Sequence, residues 1–80
     1  MNVSYSDLRR LKHALPTGSV TRIAREMNLP EQTVRQYFGA DGFSTSGNHL
    51  QPGPNGGVVR LQDPRIYNAA QRILRETLRG

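Results

Sequence analysis

Cysteine is absent from this chain of 80 residues, which removes disulfides and thiolate metal sites together. No apolar run is long enough to cross a bilayer, and no basic stretch leads into an apolar one at the N-terminus. Neither a membrane span nor a signal peptide is therefore expected. The only two His, His13 and His49, are not spaced as a ligand pair, and no nearby carboxylate completes a set, so no metal is expected. No paired carboxylates and no organised His site are visible, and Ser44, Thr45 and Ser46 have no base beside them. The expectation is a protein that is not an enzyme and carries no cofactor. The Gly-rich run Pro52 to Gly57 lacks the Lys and the following helix of a phosphate loop, and reads as a turn.

Negative charge is also scarce. Six Asp+Glu face eleven Lys+Arg, a formal net charge of +5, and every basic residue except Lys12 is Arg. Arg presents a planar fork of donors that matches phosphate oxygens and the guanine edge. A polyanionic partner follows from that balance. The length suits one domain with a small core, a size at which dimers and partner-supported folds are common.

The periodicity predicts a mainly α fold in a single domain, residues 1–80. Ser4 to Leu15 reads as a helix with capping-box-like spacing between Ser4 and Asp7. Leu8, Leu11 and Leu15 form its apolar stripe, and Pro16-Thr17-Gly18 breaks it. Ser19 is the expected N-cap of a second helix, Val20 to Met27, with Ile23, Ala24 and Met27 inward. Asn28 ends that helix by tolerating the left-handed conformation. Leu29-Pro30 leads into a third helix that runs to about Phe38, with Val34, Tyr37 and Phe38 as core and Gly39 closing it. Ala40 to Gly47 reads as loop. A β-hairpin is predicted over 48–62, with Val59 and Leu61 on its buried face. Asp63 caps a last helix over 64–79, whose stripe is Ile66, Ala70, Ile73, Leu74 and Leu78.

The segment Val20 to Gly39, a quarter of the chain, resembles the helix-turn-helix of bacterial repressors, resolvases and regulators. With the first helix it forms a tri-helical module over 4–39. Ala24 sits where two helices cross closely, Asn28 occupies the turn position that is usually Gly, and Leu29 plugs the turn from below. The Gln32-Thr33-Val34 run looks like that of the lactose-repressor class. The resemblance implies sequence-specific binding of double-stranded DNA and transcriptional regulation, in a bacterial cytoplasm on the nucleoid. Glu31, Gln32, Arg35 and Gln36 are then the candidates for base contact at the outward positions of the third helix. Thr21, Arg22, Arg25 and Thr33 are candidates for phosphate, helped weakly by Arg9 and Arg10.

Arg60 joins the phosphate contacts only if the hairpin serves as a wing. The other reading is that the hairpin covers the open side of the three-helix core. No strand is apparent between the first two helices, and the hairpin tip carries no charge. Two rivals stand beside DNA binding. A protein-interaction module on the same fold needs an apolar third-helix surface, against which the polar Glu31-Gln32-Arg35-Gln36 series counts. RNA binding needs exposed aromatics on a sheet, and the hairpin has none. A homodimer is expected on DNA, with half-sites one helical turn apart and Ile66, Ile73 and Leu78 as the first candidate contact. If DNA is the partner, roughly three to five phosphate contacts per protomer give a log–log salt slope of about −3 to −4. A slope near zero in a salt titration contradicts the expectation and favours the protein-interaction rival.

Overall fold

Ser4 is where the chain turns from strand to helix. The computed structural model describes residues 1–39 and 47–79. Strand β1 (Asn2–Ser4) runs directly into helix α1 (Tyr5–Ala14). Ser4 keeps extended backbone angles, and its hydroxyl accepts from the Asp7 N–H at 3.0 Å, satisfying one of the free donors of the first turn. Leu15 returns to extended geometry before Pro16, as a residue preceding proline must. Helix α2 (Ser19–Met27) begins one residue before the expected start, and Gly18 replaces Ser19 as its N-cap. The physical reason is the left-handed conformation of Gly18 (φ 89°), which makes the turn and leaves Ser19 inside the helix. The Ser19 hydroxyl donates back to the Pro16 carbonyl at 2.6 Å.

Asn28 ends α2 in the left-handed conformation expected of it, at φ 55° and ψ 50°, and the Leu29 N–H returns to the Ala24 carbonyl at 2.9 Å. Pro30 then sits just before helix α3 (Glu31–Tyr37). That helix closes one residue earlier than expected, with Gly39 at φ 99° beyond it. Of the expected loop Ala40 to Gly47, residues 40–46 lie outside the described residues, and Ser44, Thr45 and Ser46 with them.

Strands β2 (His49–Gln51) and β3 (Val58–Arg60) form the predicted hairpin in antiparallel register, with Leu50 opposite Val59. The sheet has a third member that the sequence did not reveal. Strand β1 pairs with the other edge of β3, Val3 opposite Val59, so the order is β1-β3-β2 and β3 is central. The Leu61 N–H donates to the Met1 carbonyl at 2.8 Å, and the Tyr5 N–H to the Gly57 carbonyl at 2.9 Å. The hairpin tip holds a single 3₁₀ turn, Pro54–Gly56. It lies against the start of α1, where the Ser6 hydroxyl donates to the Asn55 carbonyl at 2.9 Å. Gly57 must be glycine: its φ is 92°, and a Cβ there would stand 2.2 Å from the Gln51 carbonyl oxygen.

Helix α4 (Pro64–Arg79) packs on α1 and α2. Asp63 caps it by accepting from the Arg65 N–H at 3.0 Å, and the same carboxylate takes the Arg65 guanidinium at 2.8 Å. Those contacts hold the Asp63 carboxyl below its ordinary range. Ile66, Ala69, Ala70 and Ile73 face the core. The expected stripe stops there: Leu74 is half-buried, and Leu78 is 78% exposed because the last turn of α4 runs past the other elements. Ile66 and Ile73 are spent on the core and are not free for a dimer contact. The core joins Leu8, Leu11, Ile23, Ala24, Val34, Tyr37 and Phe38 to Val59 and Leu61 of the sheet side. The fold is mainly α, with a hairpin and a C-terminal helix, as the periodicity predicts. Among the described residues, no helix is long and apolar enough to cross a membrane.

Ala24 is 4% exposed on α2, the helix that packs on both α3 and α4. Ala24→Leu should destabilise the domain by about 1–3 kcal/mol through overpacking. Thermal denaturation checks this, and a wild-type midpoint contradicts the packing described here.

Candidate nucleic-acid interface

A helix of seven residues has few backbone bonds of its own, so α3 is held by what it buries. Val34, Tyr37 and Phe38 are fully enclosed, and the Tyr37 ring meets Phe38 edge-on at 5.3 Å. The Tyr37 hydroxyl donates to the Asp63 carbonyl at 2.7 Å, and burial pushes its pKa well above the ordinary phenol value. Asn48, also buried, donates from Nδ2 to the Tyr37 carbonyl at 2.8 Å and accepts at Oδ1 from the Gln62 N–H at 2.9 Å. One carboxamide thus ties the end of α3 to the chain leaving β3.

With that side fixed, Glu31, Gln32 and Arg35 share the exposed arc of α3. Thr33 is half-buried. Gln36 does not belong to that arc: it is 7% exposed, in the last turn beside the buried Tyr37 and Phe38. Its expected role in base contact is corrected accordingly, because a side chain enclosed there does not reach a groove. The outward reading assumed a helix open along its whole length, whereas the end of α3 is closed over.

The first turn of α3 meets α2 through the Thr21 hydroxyl, which donates to the Glu31 carboxylate. Beside this contact lies a crevice of about 600 Å³ lined by Thr21, Arg25, Asn28, Pro30 and Glu31. Arg25 is exposed and has no acceptor among the described residues. A second crevice, of about 390 Å³, separates the end of α1 from the start of α2, and Lys12, His13, Thr17, Thr21 and Arg35 line it. No side chain caps α2 there and its first turn holds no acid, so the positive end of that helix faces the same crevice. Lys12 and His13, on the first helix, are not among the contacts that the sequence suggests. Their position in its last turn was visible, but the neighbouring Arg35 was not.

Arg22 stands elsewhere. Its guanidinium lies 3.0 Å from Glu76 of α4 and 3.6 Å from Glu26, and Arg72 binds Glu26 from the other side. The Glu76 contact is the main cause of a raised Arg22 pKa. Arg9 is likewise engaged, donating to the Phe38 carbonyl at 2.8 Å, and Arg10 lies 3.4 Å from Asp7. Arg60 projects from the outer face of the sheet, in register with Asn2 and His49. The structure therefore brings together Thr21, Arg25, Glu31 and Arg35 through two adjoining crevices, with Gln32 on the same arc of α3. It turns Arg22 toward α4 and sets Arg60 on the sheet.

Among the described residues, no group of three or more His, Asp or Glu is placed to hold a metal ion. Comparison with family models, with curated proteins and with solved structures returns no match.

The two glutamines of α3 should behave in opposite ways. Gln36→Ala should cost about 1–2 kcal/mol of stability, the range for truncating a buried polar group. Gln32→Ala should stay within about 0.5 kcal/mol of wild type. Chemical denaturation of both variants measures this, and equal midpoints contradict the burial of Gln36.

Proposed function

We propose that this chain binds double-stranded DNA through a helix-turn-helix formed by α2, the Asn28-Leu29-Pro30 turn and α3. The observation that carries the proposal is the exposed arc of α3. It presents Gln32 and Arg35, with Glu31 at its start, from a helix whose opposite side is locked in the core. Gln pairs with adenine and Arg with guanine through two hydrogen bonds each, so the arc suits base edges in the major groove. The donors beside it suit phosphates: Arg25 on one side, Lys12 and His13 on the other, with the uncapped start of α2 between them. A protein-interaction surface on α3 needs apolar side chains, and the exposed arc has none.

In this reading Gln32 and Arg35 read bases, Arg25 and Thr21 position the backbone, and Glu31 is held by Thr21. Thr33, half-buried, acts at the edge of the arc. Arg22 contributes less than its position on α2 implies, because Glu76 and Glu26 already neutralise it. The biological role is transcriptional regulation in a bacterial cytoplasm, on the nucleoid. The protein acts as a homodimer, since one short reading helix buries too little surface for a specific site.

The test is selection from a randomised duplex library, followed by affinity measurements on the selected site. Arg35→Ala and Gln32→Ala should each cost about 1–3 kcal/mol there and relax preference at one position. Arg25→Ala should flatten the salt slope by about one unit for every sequence, and Arg22→Ala should flatten it by less. A library that returns no preferred sequence, or a preferred site bound equally by the Gln32 and Arg35 variants, contradicts the proposal.

A further inference from the structure

The outer face of the sheet plays no part in the reading above, yet its composition is one-sided. Alternation along the strands sends Val3, Leu50 and Val59 toward the core and leaves the other side to solvent. Register then aligns Asn2, Arg60 and His49 in one row across the three strands, with Ser4, Val58 and Gln51 in the next. Together with Met1, these residues other than Ser4 border a shallow concavity of about 540 Å³. None of the strand residues is Asp or Glu. Among the described residues, the side chains of Arg60 and His49 have no hydrogen-bond or ion-pair partner. By contrast Arg9, Arg22, Arg65 and Arg72 are all occupied by acceptors of this chain. A guanidinium at the centre of a sheet, flanked by Asn2 and His49 and with no Asp or Glu on the three strands, is complementary to an anion.

We propose that this sheet face is a second nucleic-acid contact that takes the phosphodiester backbone. Arg60 supplies the charge, and Asn2, His49 and Gln51 donate to phosphate oxygens on either side. The row spans about 10 Å across three strands. That is the scale of one or two phosphates along a nucleic-acid strand. The face carries no Phe, Tyr or Trp on which bases would stack, and its one ring, His49, sits on the edge strand, so it binds the backbone without reading sequence. The inference rests on the nucleic-acid reading above, but not on α3 being the part that reads bases.

The full chain, labelled with ¹⁵N, is titrated with a short duplex of random sequence and, separately, with poly-glutamate of equal charge. Salt slopes on the duplex are measured for wild type, Arg60→Gln, Arg60→Lys and the double variant Gln32→Ala/Arg35→Ala. Duplex should shift the amides of Asn2, His49, Gln51 and Arg60, and poly-glutamate should not. Arg60→Gln should flatten the slope by about one unit on any sequence, and Arg60→Lys should restore it. Shifts confined to α3, with an unchanged Arg60→Gln slope, overturn the sheet proposal and leave the reading of α3 intact. Shifts on the sheet that persist in the double variant support it even if α3 proves inert. Equal shifts with poly-glutamate overturn it in favour of an acidic protein partner, and no shifts with duplex overturn both readings.

Discussion

Enclosure of the end of α3 is the constraint on which the other features depend. A helix this short does not persist on backbone hydrogen bonds alone, so its position is set by Val34, Tyr37 and Phe38 in the core. Burying that end also buries polar groups, each of which needs a partner. The Tyr37 hydroxyl finds the Asp63 carbonyl, and the Tyr37 carbonyl finds the Asn48 carboxamide. Both partners belong to the second half of the chain. Asn48 and Asp63, the residues just before β2 and α4, therefore anchor the end of α3, while its body packs on α2, and the polar arc of α3 points outward because its opposite side is fixed.

The same economy governs the charges. A net charge of +5 is not spread as available cation over the surface. Arg9 caps the carbonyl of Phe38, Arg65 braces the Asp63 cap, and Arg22 and Arg72 join α2 to α4 through Glu26 and Glu76. Exposed pairs of this kind add little to stability, but each one removes a guanidinium from competition for an external anion. Arg25, Arg35 and Arg60 escape that use among the described residues. They flank the start of α3, occupy its outer arc and centre the sheet, while Arg75 and Arg79 stand exposed toward the end of α4.

Much of this was legible in the sequence. Helical spacing located the four α-helices of the described residues, and the Ser4, Asn28 and Asp63 termini follow from side-chain chemistry that acts within a few residues. Features that depend on distant chain were not legible. Strand β1 has three residues, too few for an alternating pattern, and exists because β3 offers an open edge more than fifty residues away. Gln36 looked like an outward glutamine because nothing local marks the closing of the last turn of α3. The Arg22 ion pair was not legible either, because Glu76 lies on another helix. Leu78 fits the α4 stripe by spacing alone, and only the extent of the neighbouring helices shows that the core ends before it.

The central claim is that the outer arc of α3 enters the major groove. The absence of cysteine allows a direct measurement, because a single thiol can be placed at will. Gln32→Cys on α3 and Asn68→Cys on the exposed side of α4 are each mixed with duplexes carrying one disulfide-tethered thiol in the major groove. The account predicts that Cys at position 32 cross-links under thiol exchange, with a yield that depends on where the tether sits in the preferred site, and that Cys at position 68 does not. Cross-linking from position 68 with none from position 32 would contradict it.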